Sequence, residues 1–199
     1  MKFLTAALMI AGVRAADVER MVDSTMLVCY RPANGSEGLT QLQGRGAATM
    51  ILRQAGVRLV WKTTNRACAA SANSITIAIS DNTPAAELPG ALAYARVYEG
   101  KQIVVFMDRV SSAVEPRSVP VLLGHVLAHE IVHQLQGVAR HSEEGVMKAR
   151  WGGSDYKDMG YKHLRFTEGD IMLIQAGMDK RTRLAASVGP SLPGFAKMR

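Results

Sequence analysis

The pentapeptide His129-Glu130-Ile131-Val132-His133 sets two histidines and a glutamate at a spacing that suits metal chemistry. In a helix, residues four apart lie one turn apart on the same face, so both imidazoles can bind one ion. Glu130 is displaced around the helix, where it can act as a general base that takes a proton from water. Zinc accepts two imidazoles and a third nitrogen or oxygen ligand and keeps one position open. The pattern predicts a Zn²⁺ site with His129 and His133 as ligands and Glu130 as the catalytic residue.

A third ligand is expected shortly after this pentapeptide. Gly137 can turn the chain in the left-handed conformation at the end of a helix. His141 then returns an imidazole, and Met147 follows it. Other candidates stay open, since Glu168 begins a downstream segment of helical pattern, and three more oxygen donors are Glu143, Glu144 and Asp155. We expect His141 to be the third ligand, with Glu168 as the alternative.

In these residues the sequence resembles the metzincins, the zinc metallopeptidases that include astacins, serralysins and matrix metalloproteinases. Their signature is an H-E-x-x-H helix ended by glycine, a third histidine ligand, and a methionine in a tight turn beneath the metal. The resemblance implies a zinc ion held by His129, His133 and His141. It also implies a methionine turn at Met147 and a peptide or protein as substrate.

The spacing is longer than in typical metzincins, where the glycine follows the second histidine by three residues and the third histidine follows it by six. Here Gly137 follows His133 by four residues, and His141 follows it by eight. One added helical residue and one added loop residue can preserve the geometry. The string from His141 to Met147 is similar to that of a group of small, exported, predicted bacterial peptidases with this longer spacing.

The remaining histidines and two tyrosines receive supporting roles. His125 lies one turn before His129, but a straight helix seldom supplies three ligands, so we expect a core or supporting histidine. His163 lies in a polar segment and is expected at the surface. Tyr156 and Tyr161 are candidates for a hydrogen bond to the developing oxyanion, the role that a tyrosine has in astacins and serralysins.

Three other functions are compatible with these residues. One is a gluzincin-type metallohydrolase with Glu168 as third ligand, and another is a metalloenzyme that acts on a non-peptide bond. The third is a non-catalytic metal-binding or interaction domain on a zincin scaffold. Glu130 disfavours this last reading, because a purely structural zinc site has no use for a base.

The apolar pattern predicts the elements that must position these side chains. The metal-site helix is predicted over residues 120–136, with a mostly irregular segment over 138–166 and a last helix over 168–177. Before it come predicted strands at 24–30, 57–61 and 74–80, a helix at 39–55, and a hairpin of arms 92–98 and 102–107. This order predicts an α/β fold with a mixed sheet, an antiparallel edge strand, a long active-site helix and a small irregular C-terminal subdomain ending in a helix. The resemblance implies that the sheet is zincin-like. The resemblance implies that an extended substrate lies along the edge arm, 92–97.

Composition is that of an ordinary globular protein, with 48% hydrophobic and 21% charged residues. The net charge of +7 is spread along the chain without clustered aromatics, so nucleic acid is not an expected partner. Cys29 and Cys68 are the two cysteines, and in an exported chain they are expected to form a disulfide. We expect one catalytic domain over residues 16–186, with an upper part of about 22–137, a lower part of about 138–186, and a flexible tail at 187–199.

The first fifteen residues are predicted to be an export signal. Lys2 gives a basic start, an apolar run follows over 3–13, and Ala15 offers a small residue at the cleavage site. The protein is therefore expected to be secreted or periplasmic, without a membrane anchor after cleavage. Intact-mass measurement of the natively produced protein should find a chain that begins near Ala16. A cytoplasmic pool that retains Met1 would contradict this prediction.

Overall fold

The computed structural model describes residues 25–63, 74–98 and 100–187. In this part of the chain there are five strands: β1 (Thr25–Arg31), β2 (Arg58–Lys62), β3 (Ser74–Ser80), β4 (Ala93–Ala95) and β5 (Gln102–Phe106). There are five α-helices: α1 (Leu39–Arg53), α2 (Met107–Ala113), α3 (Val119–Gln136), α4 (Gly153–Tyr161) and α5 (Glu168–Ser187). A 3₁₀ turn, Pro116–Ser118, leads into α3.

The strands form one sheet in the order β2-β1-β3-β5-β4. Strands β2, β1, β3 and β5 are parallel to one another, and the short strand β4 pairs antiparallel with β5 at the sheet edge. The central strands are rich in β-branched residues, such as Ile75, Ile77 and Val105, and these are almost completely buried. The mixed α/β fold that the order of elements predicts is therefore confirmed.

Helix α3 is the centre of the core. All of its residues from Leu122 to Leu135 are buried, so the helix is surrounded on nearly every side. It ends where predicted, because Gly137 adopts the left-handed conformation with φ of 69° and donates its N–H to the His133 carbonyl. A helix buried to this degree holds its side chains in fixed positions, which a metal site requires.

Helices α1 and α3 cross at very short range. A Cβ atom on Gly44 of α1 would lie 2.7 Å from Cγ of Leu123, and one on Gly124 of α3 would overlap Ala47 and lie 3.0 Å from the Gly44 carbonyl oxygen. These two glycines therefore allow the backbones to approach each other. By contrast, a Cβ on Gly46, exposed on α1, would meet nothing within 4 Å.

The structure corrects several of the predicted elements. The first hairpin arm, predicted over 92–98, is a strand only over Ala93–Ala95. The strand predicted up to Met107 ends at Phe106, and Met107 begins helix α2, whose first turn is fixed by two hydrogen bonds from Thr83 to Asp108. The segment predicted to be mostly irregular, 138–166, contains helix α4. Sequence patterning missed α4 because it buries little apolar surface and starts at two glycines, with Asp155 accepting the Gly152 N–H at 2.7 Å.

The last helix is also longer than predicted. The prediction ends this helix at Gly177, but α5 continues through it to Ser187. A Cβ at Gly177 would overlap the Leu135 carbonyl, so this glycine serves the close packing of α5 against the end of α3. The flexible tail was predicted at 187–199, but Ser187 is the last residue of α5. The rest of the predicted tail, 188–199, lies outside the described residues.

Two further predictions fall at least partly outside the described residues. Cys29 is buried and disulfide-bonded, but Cys68 lies outside the described part, so the pairing stays a prediction. The predicted signal at 1–15 lies outside it too. In the described ranges, no helix combines the length and the apolar character needed to cross a membrane.

Replacing Gly124 by alanine should destabilise the protein, because the added methyl group would force α1 and α3 apart. Overpacking of this kind typically costs about 1–3 kcal/mol in the free energy of unfolding. Gly46→Ala is the matched control and should be neutral or stabilising by up to about 1 kcal/mol, since helix propensity alone then changes. Urea denaturation measures both, and equal stability of the two variants would contradict this view of the crossing.

Candidate metal centre

Helix α3 presents His129 and His133 on one face, and backbone carbonyls fix both rings. The Val146 carbonyl oxygen lies 2.8 Å from Nδ1 of His129, and the Val138 carbonyl oxygen lies 3.2 Å from Nδ1 of His133. Because a carbonyl oxygen can only accept, Nδ1 of each ring must carry the hydrogen. The two Nε2 atoms then lie 3.0 Å apart.

This arrangement turns two lone pairs toward each other. A neutral imidazole with hydrogen on Nδ1 has a bare acceptor at Nε2, so the two facing atoms repel unless a cation or a proton lies between them. Two nitrogens bound to one tetrahedral zinc ion are roughly 3.4 Å apart, which these rings reach with a shift of a few tenths of an ångström. The donor set therefore fits a metal ion that prefers imidazole.

His141 joins these two residues from a loop. The candidate ligand atoms of His129, His133 and His141 all lie within 4.8 Å of one another. The His141 ring centroid is 5.3 Å from that of His129 and 4.9 Å from that of His133. The structure thus brings together the three predicted ligands, two from a buried helix and one from an exposed loop. Three imidazoles with an open position are a donor set typical of catalytic zinc.

Glu130 is 8% exposed and borders the same cleft as the three histidines. Burial raises the pKa of its carboxyl group to about 8. Burial also lowers the pKa of His129 to about 3 and that of His133 to about 4, which keeps both rings neutral and able to bind a metal. A divalent cation held by the histidines would favour the Glu130 carboxylate and lower its pKa.

The predicted methionine turn forms a compact loop against the site. Met147 is fully buried, and its carbonyl oxygen accepts the Ser142 N–H at 2.8 Å. The Val146 N–H donates to the Arg165 carbonyl at 3.0 Å, and the Val146 carbonyl is the one that orients His129. Gly145 has φ of 74° and lies so close to Arg165 that a side chain would overlap the backbone. This turn therefore acts on the site through a backbone carbonyl.

The alternative oxygen ligands lie elsewhere. Glu168 is exposed at the start of α5 and is not part of the cluster of candidate ligands in the described chain. Glu143 and Glu144 are exposed as well. Asp155 is engaged by the Lys148 ammonium at 2.8 Å and by the N-terminus of α4.

The other two histidines lie near the site without joining it. His125 is fully buried, with Nδ1 2.8 Å from the Val121 carbonyl and Nε2 accepting the Leu164 N–H at 3.1 Å. Its prediction as a core histidine is confirmed. The surface position predicted for His163 is wrong, because its ring is half-buried with its centroid 5.6 Å from that of His125.

A cleft of about 510 Å³ opens over the histidines and Glu130. One wall is formed by residues 88–95, which are the edge strand β4 and the segment before it, and the other includes Trp151 and Tyr156. Trp151 was not singled out from the sequence, yet its ring packs edge-on against His129 at 5.5 Å, and its Nε1–H donates to the Gly145 carbonyl at 3.1 Å. Tyr156 borders the cleft, whereas Tyr161 is 82% exposed and is not among the lining residues.

The sequence matches no protein-family model and no curated protein. Among solved structures, the chain is similar to archaemetzincin from Methanopyrus kandleri. The sequence identity is 16%, the TM-score is 0.48, and the match covers 78% of this chain and 97% of that chain. A likeness this distant transfers no property to this protein, so the proposal below rests on the geometry of the site.

The purified protein is expected to bind about one zinc ion, and each of His129→Ala, His133→Ala and His141→Ala should weaken binding sharply. Loss of a ligand should exceed the roughly 10–100-fold loss in affinity that is typical for residues around a metal site. Competition with a chromophoric chelator gives the affinities, and Glu168→Ala is the control. If His141→Ala binds as the natural chain does while Glu168→Ala loses the metal, the third ligand is Glu168.

Proposed function

We propose that this protein is a zinc-dependent peptidase that hydrolyses peptide bonds in its cleft. The observation that carries the proposal is the convergence of three imidazoles beside Glu130, in a cleft that borders the edge of the sheet. His129, His133 and His141 would hold the metal. When bound, zinc supplies a Lewis acid that polarises the substrate carbonyl and lowers the pKa of water.

Glu130 is the residue that moves protons. Its carboxylate would take a proton from the attacking water as the new C–O bond forms, and would pass it to the amine as the C–N bond breaks. The residue is suited to both steps because it is nearly buried, so bulk water does not compete for the proton. Tyr156, on the cleft wall, is the candidate for stabilising the oxyanion.

Strand β4 supports an extended peptide as the substrate. It is an edge strand of the sheet, and its residues line the cleft together with the preceding segment. A peptide added beside β4 would receive backbone hydrogen bonds and pass across the histidine cluster. The lining is largely apolar, with Leu92, Ala95 and Val126 among its members, so the side chains nearest the site are expected to be apolar.

The other candidate functions have less support. A gluzincin-type site needs Glu168 near the histidines, whereas Glu168 is exposed and outside the cluster. A non-catalytic metal domain has no need of a buried carboxyl group beside its site. Burying the Glu130 carboxyl group costs free energy, which favours a functional role for it. An enzyme that cleaves a non-peptide bond would not need the edge of β4, which suits the binding of an extended peptide. The proposed place of action is outside the cytoplasm, and this proposal rests on the export signal predicted at 1–15.

Glu130→Gln should separate metal binding from hydrolysis. The amide keeps the shape of the side chain and leaves the three histidines in place, so about one zinc ion should still bind. Removal of the base should lower the rate of peptide cleavage by about 10²–10⁴-fold. Zinc content and digestion of a peptide library, followed by mass spectrometry, measure the two properties. Unchanged cleavage by this variant would rule out the role assigned to Glu130.

A further inference from the structure

His141 differs from the other two candidate ligands in how it is held. Carbonyls of Val146 and Val138 orient the buried rings of His129 and His133. His141 is exposed on a loop, and within the described residues no hydrogen bond fixes its ring. Its position must therefore come from the backbone on either side of it.

Both neighbours of His141 are anchored to the same atom. The Arg140 guanidinium donates from Nη1 to Oδ1 of Asp170 at 3.0 Å, and the Ser142 hydroxyl donates to the same oxygen at 2.7 Å. The Asp170 side chain is completely buried. Two charge-assisted hydrogen bonds thus hold the residues immediately before and after the ligand.

The second oxygen of Asp170 has a different task. Oδ2 accepts the Thr167 N–H at 3.1 Å and the Thr167 hydroxyl at 2.7 Å, while the Asp170 N–H donates back to Thr167 Oγ1 at 3.1 Å. This reciprocal pattern caps the N-terminus of α5. One oxygen therefore caps a helix, and the other accepts hydrogen bonds from the two neighbours of His141.

Helix α5 is in turn fixed to the helix that bears the other two histidines. Gly177 lets α5 approach the Leu135 carbonyl, and the Arg181 guanidinium donates to the Gln134 carbonyl at 2.7 Å. The path from His133 through the end of α3, along α5 to Asp170 and back to His141 is therefore continuous. It defines a rigid frame across which the loop ligand meets the helix ligands.

We propose that Asp170 is the positioning residue for the third metal ligand, and that it acts by gripping Arg140 and Ser142 on either side of His141. This role rests on the proposed metal site. The carboxylate keeps its charge, since burial alone would raise the pKa of Asp170, but hydrogen bonds from Ser142, Thr167 and Arg140 hold it below its usual range. A buried negative charge near the cluster also favours a bound cation.

The test separates the two oxygens of Asp170. Ser142→Ala and Arg140→Met, singly and together, remove donors to Oδ1 and leave the helix cap intact. The double variant should bind zinc about 10–100-fold more weakly, the range found when the support of a metal ligand is removed. Its Co²⁺ form should also show a changed visible absorption spectrum, which reports the coordination around the ion.

Thr167→Ala is the matched control, since it removes the hydroxyl that donates to the other oxygen and weakens the helix cap. It should lower the melting temperature of the metal-free protein, yet keep zinc affinity and the Co²⁺ spectrum of the natural chain. Ser142→Thr keeps a hydroxyl donor and should restore the affinity that Ser142→Ala loses. This rescue distinguishes positioning from a general loss of stability.

Each outcome decides one of the two proposals. If the natural chain binds no zinc, the metal site itself is wrong. If the natural chain binds zinc and the Oδ1 variants bind it with equal affinity and an unchanged Co²⁺ spectrum, Asp170 has only a capping role. Asp170 also has only a capping role if Thr167→Ala weakens zinc binding as much as the Oδ1 variants do. If the double variant fails to fold, the zinc affinities of the two single variants decide the question.

Discussion

Two acceptor nitrogens, Nε2 of His129 and of His133, are held 3.0 Å apart on side chains that are largely buried. The repulsion between them persists because the carbonyls of Val146 and Val138 engage the other nitrogen of each ring and so fix the tautomers. Each carbonyl depends on a glycine, Gly145 in the turn and Gly137 at the helix end, that lets the backbone bend. A bound cation converts this repulsion into attraction, and the surrounding fold keeps the rings from rotating apart.

The free-energy cost of burying these polar side chains is offset by the apolar core around helix α3. Burying histidines and a glutamate is unfavourable, as the raised pKa of Glu130 and the lowered pKa of His129 indicate. The same helix buries Leu123, Leu127 and Ile131 completely, and each such side chain contributes roughly 1.5–3 kcal/mol relative to an exposed one. The glycine contacts between α1 and α3 bring enough apolar surface together to keep the helix in place.

The sequence predicted those elements that have a strong apolar period or a decisive end signal. Helix α3 combined both, and the sheet was recognisable from its β-branched runs. Helix α4 has too few apolar residues to show a helical period. The helix end predicted at Gly177 is wrong because a glycine that permits close packing looks the same in sequence as one that ends a helix. Asp170 was missed for a further reason. Its partners Arg140 and Ser142 are 30 and 28 residues away in the chain, and only the packing of α5 against α3 brings them together.

The eight-residue spacing from His133 to His141 explains why the loop that carries His141 needs the anchoring by Asp170. A longer connection between two ligands has more conformations to lose when it is ordered, and this cost grows with loop length. Helix α3 absorbs part of the extra length by continuing to Gln136 before Gly137 turns the chain. The remaining residues of the loop are exposed and bury little surface that could fix them. A buried carboxylate that accepts hydrogen bonds from the residues on both sides of His141 supplies this order from outside the loop. The length of the connection and the presence of Asp170 therefore have one explanation.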